Sequence, residues 1–240
     1  MISKTNGIVL QTCRYNDTFS IVHIYTRDFG RMEYLLPKKT SKKSQLKHSL
    51  FYPLSILSLQ VEHLPLREIQ RLKTAEMVTT QLQMCTNPSK ILISFFLSEF
   101  LGKVVKETEK NELLYDFIDN SIHQLENCEN GIANFHLAFM MRMMRFIGVE
   151  PNLSDYCKGK YFDMIQGEYI SRLPVHNHYL NAQQSCFLNT FCKLTFNNMH
   201  VFKFSRENRN EIIDYLIDYY RIHTYNFASL KTLDVLRELS

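Results

Sequence analysis

The 240-residue chain predicts an α+β fold, a small N-terminal β-barrel followed by an α-helical bundle, and three observations carry that prediction. The first 80 residues hold short runs rich in β-branched and aromatic residues, with period-two alternation. Turn residues punctuate those runs, as Asp28 and Gly30 do in "DFGR". After Thr74 the apolar residues recur at helical spacing instead.

The strands follow in order. "GIVLQTC" and "FSIVHIYT" lead through the "DFGR" turn into "RMEYLLP". The stretch Phe51 to Val61 reads as a further buried strand, in which Leu57, Leu59 and Val61 alternate with Ser58, Gln60 and Glu62 to leave one wet face. "REIQRLKT" supplies a last short one. Five strands in so short a span, followed by helix, match the closed barrel of the OB-fold better than an open sheet, because closure removes exposed edges.

The helical part opens at Asn87, a good N-cap, with Pro88 at the first helical position, where its missing N–H costs nothing. Ile91, Leu92, Phe95, Phe96 and Phe100 form one apolar stripe. Leu113, Leu114, Phe117, Ile118, Ile122 and Leu125 form a second, and Phe135, Phe139, Met140, Met143 and Ile147 a third. Two more helices are expected near 183–194 and 207–222, and a short one behind Ser229, about six in all. The organisation is thus a barrel domain over 1–80 and a helical domain over 81–240 that carries an irregular insert at 148–181. No linker separates the two, so they are expected to move together.

With 45% hydrophobic and 22% charged residues the chain can bury a core. Six cysteines without a secretory leader predict a reduced, cytoplasmic setting. The most apolar window, residues 91–105, is interrupted by Glu99 and Lys103 and is shorter than the ~20 residues of a membrane span, so no membrane partner is expected.

Charge is distributed unevenly. Residues 1–80 carry 12 Lys and Arg against 6 Asp and Glu, whereas residues 81–240 carry 16 against 18. The excess peaks in "LPKKTSKKSQLKH" (36–48), five lysines and a histidine with no acid among them. A hairpin needs only about two to five turn residues and gains nothing from repelling charges. On an OB barrel such a loop lies beside the groove that holds oligonucleotides, and Lys38, Lys39, Lys42, Lys43 and Lys47 would neutralise phosphates by releasing counterions. Arg14, Arg27 and Arg31 extend the patch. The plain alternative is a solvated loop that keeps the protein soluble.

Other chemistry finds little support. The chain has no C-x2-C pair, no phosphate loop and no GxSxG elbow, so neither cofactor nor catalytic residue is expected. "HNH" at 176–178 is a fragment of a nuclease motif without further ligands at useful spacing. The carboxylate pairs Asp116/Asp119 and Glu107/Glu109 read as solvated helix surface. "FMMRMMRF" (139–146) combines adaptable methionines with Arg142 and Arg145, a composition suited to a short acidic peptide, although Met140 and Met143 fall on the apolar stripe and read as core.

The run "GIVLQTCRYNDTFSIVHIYTRDFGRMEYLLPKKTSKKSQLKHSLFYPLSIL" resembles the N-terminal domain of the bacterial recombination mediator RecO family. Gly7, Ile8, Val9, Leu10, Tyr15, Asp17, Ser20, Tyr25, Thr26, Gly30, Arg31, Lys43, Ser44, Leu50 and Pro53 occupy the family's positions. "SLKTLDVLREL" is similar to its last helix. The resemblance implies a non-enzymatic DNA repair and recombination protein. Such a protein binds single- and double-stranded DNA, anneals complementary strands, joins RecR and docks the C-terminal tail of the single-stranded-DNA-binding protein so that RecA can load. It implies DNA and RecR contacts on the barrel and a tail-docking pocket in the helical domain, for which charge and neighbourhood make Arg142, Arg145 and Lys231 the candidates. Many members carry a four-cysteine zinc module after the third bundle helix. Here only Cys157 stands near that position, so the insert is expected to hold no metal and to pack on Tyr156, Tyr161, Phe162, Ile165 and Tyr169. A different reading is a protein-interaction scaffold with incidental DNA binding. A metal-dependent nuclease on His176 and His178 is a third.

Overall fold

The computed structural model describes residues 2–38, 48–64, 66–106 and 108–239. Five strands, β1 (Ile2–Arg14), β2 (Phe19–Thr26), β3 (Gly30–Pro37), β4 (Ile56–Glu62) and β5 (Ile69–Met77), close into a barrel of order β1-β2-β3-β5-β4. All pairings are antiparallel except β3 with β5, which run parallel and complete the circle. The α+β prediction and its OB-type barrel hold. Strand β4 starts only at Ile56, because the chain before it turns through Leu54 in the left-handed region, φ 62°.

Alternation sorts the barrel residues as the pleat requires. Val22 and Ile24 of β2, Leu57, Leu59 and Val61 of β4 and Leu72 and Ala75 of β5 point into one apolar core with Tyr34 and Leu36. Gly7 lets β1 cross this core closely. A Cβ there would lie 2.5 Å from the Ile24 Cγ2 and 2.9 Å from the Leu59 Cδ1.

Seven α-helices follow among the described residues: α1 (Leu82–Thr86), α2 (Pro88–Val104), α3 (Glu112–Asn127), α4 (Phe135–Phe146), α5 (Ala182–Phe191), α6 (Arg206–His223) and α7 (Leu233–Leu239). Asn87 caps α2 as expected, its side chain accepting from the N–H groups of Ser89 and Lys90. The α2 stripe differs from the expected one. Ile93, Leu97 and Leu101 are buried, while Phe95 is 39% exposed, because a helix apolar nearly all round does not declare its inner face by period. Leu113 likewise lies outside the α3 stripe and is exposed. The apolar period does not signal helix α1. It is one turn long and depends on a distant group, the Glu126 carboxylate, which accepts from the Gln83 and Met84 N–H groups at 2.8 Å each.

The chain forms two compact units, Met1–Asn127 with Leu230–Leu236, and Cys128–Ser229 with Arg237–Ser240. The first holds the barrel and α1–α3. In the second, Met140, Met143 and Met144 are core, and the Tyr220 hydroxyl donates to the Met140 carbonyl at 2.7 Å. Its insert forms a small sheet of order β7-β6-β8: β6 (Tyr161–Asp163), β7 (Glu168–Ile170) and β8 (Tyr179–Leu180). Phe162 and Tyr169 are buried there and meet edge to face at 5.1 Å, whereas Ile165 sits exposed in the β6–β7 turn.

Candidate nucleic-acid interface

Two strand ends build the candidate interface. The turn between β1 and β2 is set by Asn16, whose side-chain oxygen accepts from the Thr18 and Phe19 N–H groups at 2.9 and 2.7 Å. This Asx geometry brings Arg14 and Tyr15 to the tip, both exposed. Lys38 leaves β3 alongside, its N–H donating to the Thr18 carbonyl at 2.9 Å and its ammonium to the Asn16 carbonyl. The chain returns at His48, whose Nε2 lies 2.8 Å from the Pro37 carbonyl. The basic loop therefore leaves and re-enters the barrel beside the Arg14 turn. Lys39, Lys42, Lys43 and Lys47 lie outside the described residues.

Arg14 reaches Asp17 at 2.9 Å, but both side chains are largely exposed, and such a pair yields readily to a competing anion. Arg27 and Arg31 stand at the opposite end of β2, roughly 24 Å away at about 3.4 Å per residue. There Arg27 pairs with Asp116 at 2.6 Å over the face of Tyr115, and the Asp116 hydrogen bond raises its pKa further. Arg31 donates to the Gly102 and Val105 carbonyls at 2.8 and 3.0 Å, which closes the C-terminus of α2. Asp116, expected as solvated surface, is thus a barrel-to-helix tie.

The four predicted cations among the described residues fall at two ends of β2. Arg14 and Lys38 come together, and Arg27 and Arg31 are engaged elsewhere. Beside Arg31 lies a groove of about 590 Å³ that adds Arg67, Lys106 and His63, the last stacked on Phe29 at 4.4 Å, together with Glu33 and Glu68. Sequence reasoning passed over these because they come from three separate segments.

Of the tail-docking candidates, Arg142 and Arg145 lie exposed on α4, in the second unit. Lys231 belongs to the first. It borders a groove of about 350 Å³ lined by β1, Phe51, Pro53 and Phe95.

Metal ligation is poorly served. All six cysteines are free, and among the described residues no group of three His, Cys, Asp or Glu side chains is placed to hold a metal ion. The residues present therefore do not fit a zinc module. His176 instead lies 3.2 Å from the buried Asp163 carboxylate, which also accepts from the Ile165 and Gln166 N–H groups at 2.8 and 3.0 Å. Among the described residues no helix is long and apolar enough to cross a membrane.

Two family models match the chain, "Recombination protein O N terminal" over residues 1–81 and "Recombination protein O C terminal" over residues 85–233. Curated relatives named "DNA repair protein RecO" include those of Azobacteroides pseudotrichonymphae and Phocaeicola vulgatus. Each is 39% identical over 239 residues, covering 100% of this chain and 99% of the relative. The protein of that name from Porphyromonas gingivalis is 36% identical over 243 residues, with the same coverage.

Proposed function

The chain belongs to the RecO family of DNA repair proteins, and on that premise we propose that it is a non-enzymatic recombination mediator. In this reading it binds single- and double-stranded DNA, anneals complementary strands and helps load RecA onto gaps coated with single-stranded-DNA-binding protein. The barrel domain, residues 1–80, supplies the DNA grip and joins RecR. The helical domain, residues 81–240, recruits the acidic tail of the single-stranded-DNA-binding protein.

The observation that carries the DNA part is the meeting of Arg14, Lys38 and both ends of the lysine loop at one end of the barrel. Phosphates exchanged for condensed counterions there give affinity without reading sequence. Tyr15, exposed at the same tip, offers a ring on which a base can stack. Screening two phosphate backbones in turn is what annealing needs from a protein without a catalytic group.

Fluorescence anisotropy of a labelled single strand across a salt series tests this. Replacing Arg14, Lys38, Lys39, Lys42, Lys43 and Lys47 by Ala is expected to flatten the log–log salt slope by about 0.7 per lost phosphate contact. The Arg27→Ala variant leaves the slope unchanged. If the wild type binds DNA only weakly at physiological salt while holding its protein partners, the scaffold reading replaces this one.

A further inference from the structure

The groove beside Arg31 carries an inference that goes beyond the proposed DNA grip and does not depend on it. Three segments of the first unit wall its volume of about 590 Å³: the start of β3, the turn between β4 and β5, and the residues that follow α2. Each wall is pinned. The buried Gln70 side chain accepts from the Leu64 N–H at 2.9 Å and donates to the Leu64 carbonyl at 2.8 Å and to the Arg67 carbonyl. It thereby fixes the turn on which His63 and Arg67 stand. Parallel pairing of β3 with β5 sets Glu33 opposite Ile69. The Arg31 bonds to the Gly102 and Val105 carbonyls tie the end of α2 to β3, which brings Lys106 to the rim. A pocket fixed in advance loses little entropy when a ligand enters.

Its charges are mixed. The Arg67 guanidinium has no ion pair among the described residues, and the Arg31 bonds to α2 use only Nη1 of the five-donor guanidinium. Between these cations and Lys106 stand the Glu33 and Glu68 carboxylates. A nucleic-acid strand threaded through the groove would bring successive phosphates against those carboxylates, and like charges repel. The same mixture suits a small ligand with an anionic end for the guanidinium groups and amino or hydroxyl groups for the carboxylates.

A ring completes the match. His63 lines the groove, and Phe29 stacks on it with ring centroids 4.4 Å apart and planes 12° from parallel. An imidazole held flat on one face offers its other face to a planar ligand. Its Nδ1 is buried with no hydrogen-bond partner among the described residues, a vacancy that a polar ligand atom fills.

We propose that this groove binds a single 5′-phosphorylated nucleoside, with its phosphate on Arg31, Arg67 and Lys106, its base against His63, and its amino or hydroxyl groups on Glu33 and Glu68. A free nucleotide and the phosphorylated end of a strand share this chemistry. The groove has the size of a small-molecule site rather than of a track for a polymer.

Isothermal titration of the full chain with deoxyadenosine 5′-monophosphate tests this. One site per chain is expected, with deoxyadenosine and inorganic phosphate each weaker by about tenfold or more, since each lacks part of the contacts. Arg67→Ala leaves the Gln70 bonds to the turn in place and is expected to weaken binding about tenfold, the size of a lost charge-assisted bond. The Arg14→Ala/Lys38→Ala variant binds the nucleotide as the wild type does. In the unaltered protein the His63 imidazole resonances shift when the nucleotide is added, so a misfolded variant cannot decide the result. Displacement of the nucleotide by a 5′-phosphorylated oligonucleotide, but not by the same strand with a 5′-hydroxyl, assigns the site to strand ends. No displacement by either assigns it to free nucleotides. Equal displacement by both overturns the inference in favour of a general DNA surface, and inorganic phosphate bound as tightly as the nucleotide overturns it in favour of a bare anion site. Undiminished binding to Arg67→Ala, unmoved His63 resonances or a wild type that binds no nucleotide overturns it outright. The salt series reads the DNA grip at the other end of β2 separately, so either reading can fail while the other stands.

Discussion

The barrel and the small sheet of the insert are both built from short strands, yet they are stabilised by opposite means. The barrel closes on itself through five pairings and fills its interior with largely aliphatic side chains. The insert sheet has three strands of two or three residues and cannot close. Its turn is instead organised by one buried carboxylate, Asp163, with His176 on its other oxygen and Tyr156, Phe162 and Tyr169 edge to face behind it. A sheet too small for a core of its own borrows order from polar clasps, and polar clasps respond to single-atom changes where an aliphatic core does not.

The largest expected effect tests the barrel side. Ile24→Ala removes a fully buried side chain and is expected to cost about 2–5 kcal/mol, read as accelerated amide exchange throughout β1–β5 in a urea series. Exchange in residues 161–180 should stay near wild type, and equal acceleration in both regions would break the contrast. Asp163→Ala reverses the pattern. It leaves the Ile165 and Gln166 N–H groups and His176 without their acceptor, for an expected loss of about 1–2 kcal/mol confined to the insert and its unit.

Acid should separate the two as well. Burial pushes the His136 imidazole of the second unit down to about 3 from its ordinary 6.5. The folded unit therefore holds it neutral while the unfolded chain protonates it. Its contribution is present in full above pH 6.5 and declines as the pH falls toward 3, by up to about 1.4 kcal/mol per pH unit. His23 of the barrel is lowered by burial too, but Glu33 opposes the shift, so the barrel's dependence is weaker. Urea midpoints of the second unit measured between about pH 7 and pH 4.5 should fall for the wild type, and His136→Asn should flatten that fall.

The smallest effect concerns the tie between Arg27 and Asp116. Both side chains are partly exposed, so Arg27→Ala is expected to lower the urea midpoint least of these variants. A double-mutant cycle with Asp116→Ala measures the coupling directly.

Much of the fold was legible because its signals are local. Alternation in Leu57, Leu59 and Val61, the Asp28–Gly30 turn and the Asn87–Pro88 cap each act within a few residues, and each appears where expected. The apolar face of α2 was not legible, since Ile91 through Leu101 offers hydrophobic residues on every side and only packing selects among them. The order within the insert escaped for a related reason. Its central group is an aspartate, a residue that in sequence reads as surface until its partners are known.

The candidate interface divides along the same line. A surplus of cations in the first third of the chain is a property of composition, and so is the basic loop, which no arrangement of neighbours can change. Which of those cations remain available for an anion is a tertiary property. Arg27 meets a carboxylate 89 residues further along the chain, and Arg31 meets carbonyls 71 and 74 residues away. Sequence by itself determined the element types, the barrel-then-helix order and the sign of the N-terminal charge, because these follow from nearest-neighbour sterics, period and composition. Only the tertiary structure decided which charges are neutralised and which face of α2 is buried, because both depend on partners that folding alone brings within a few ångströms.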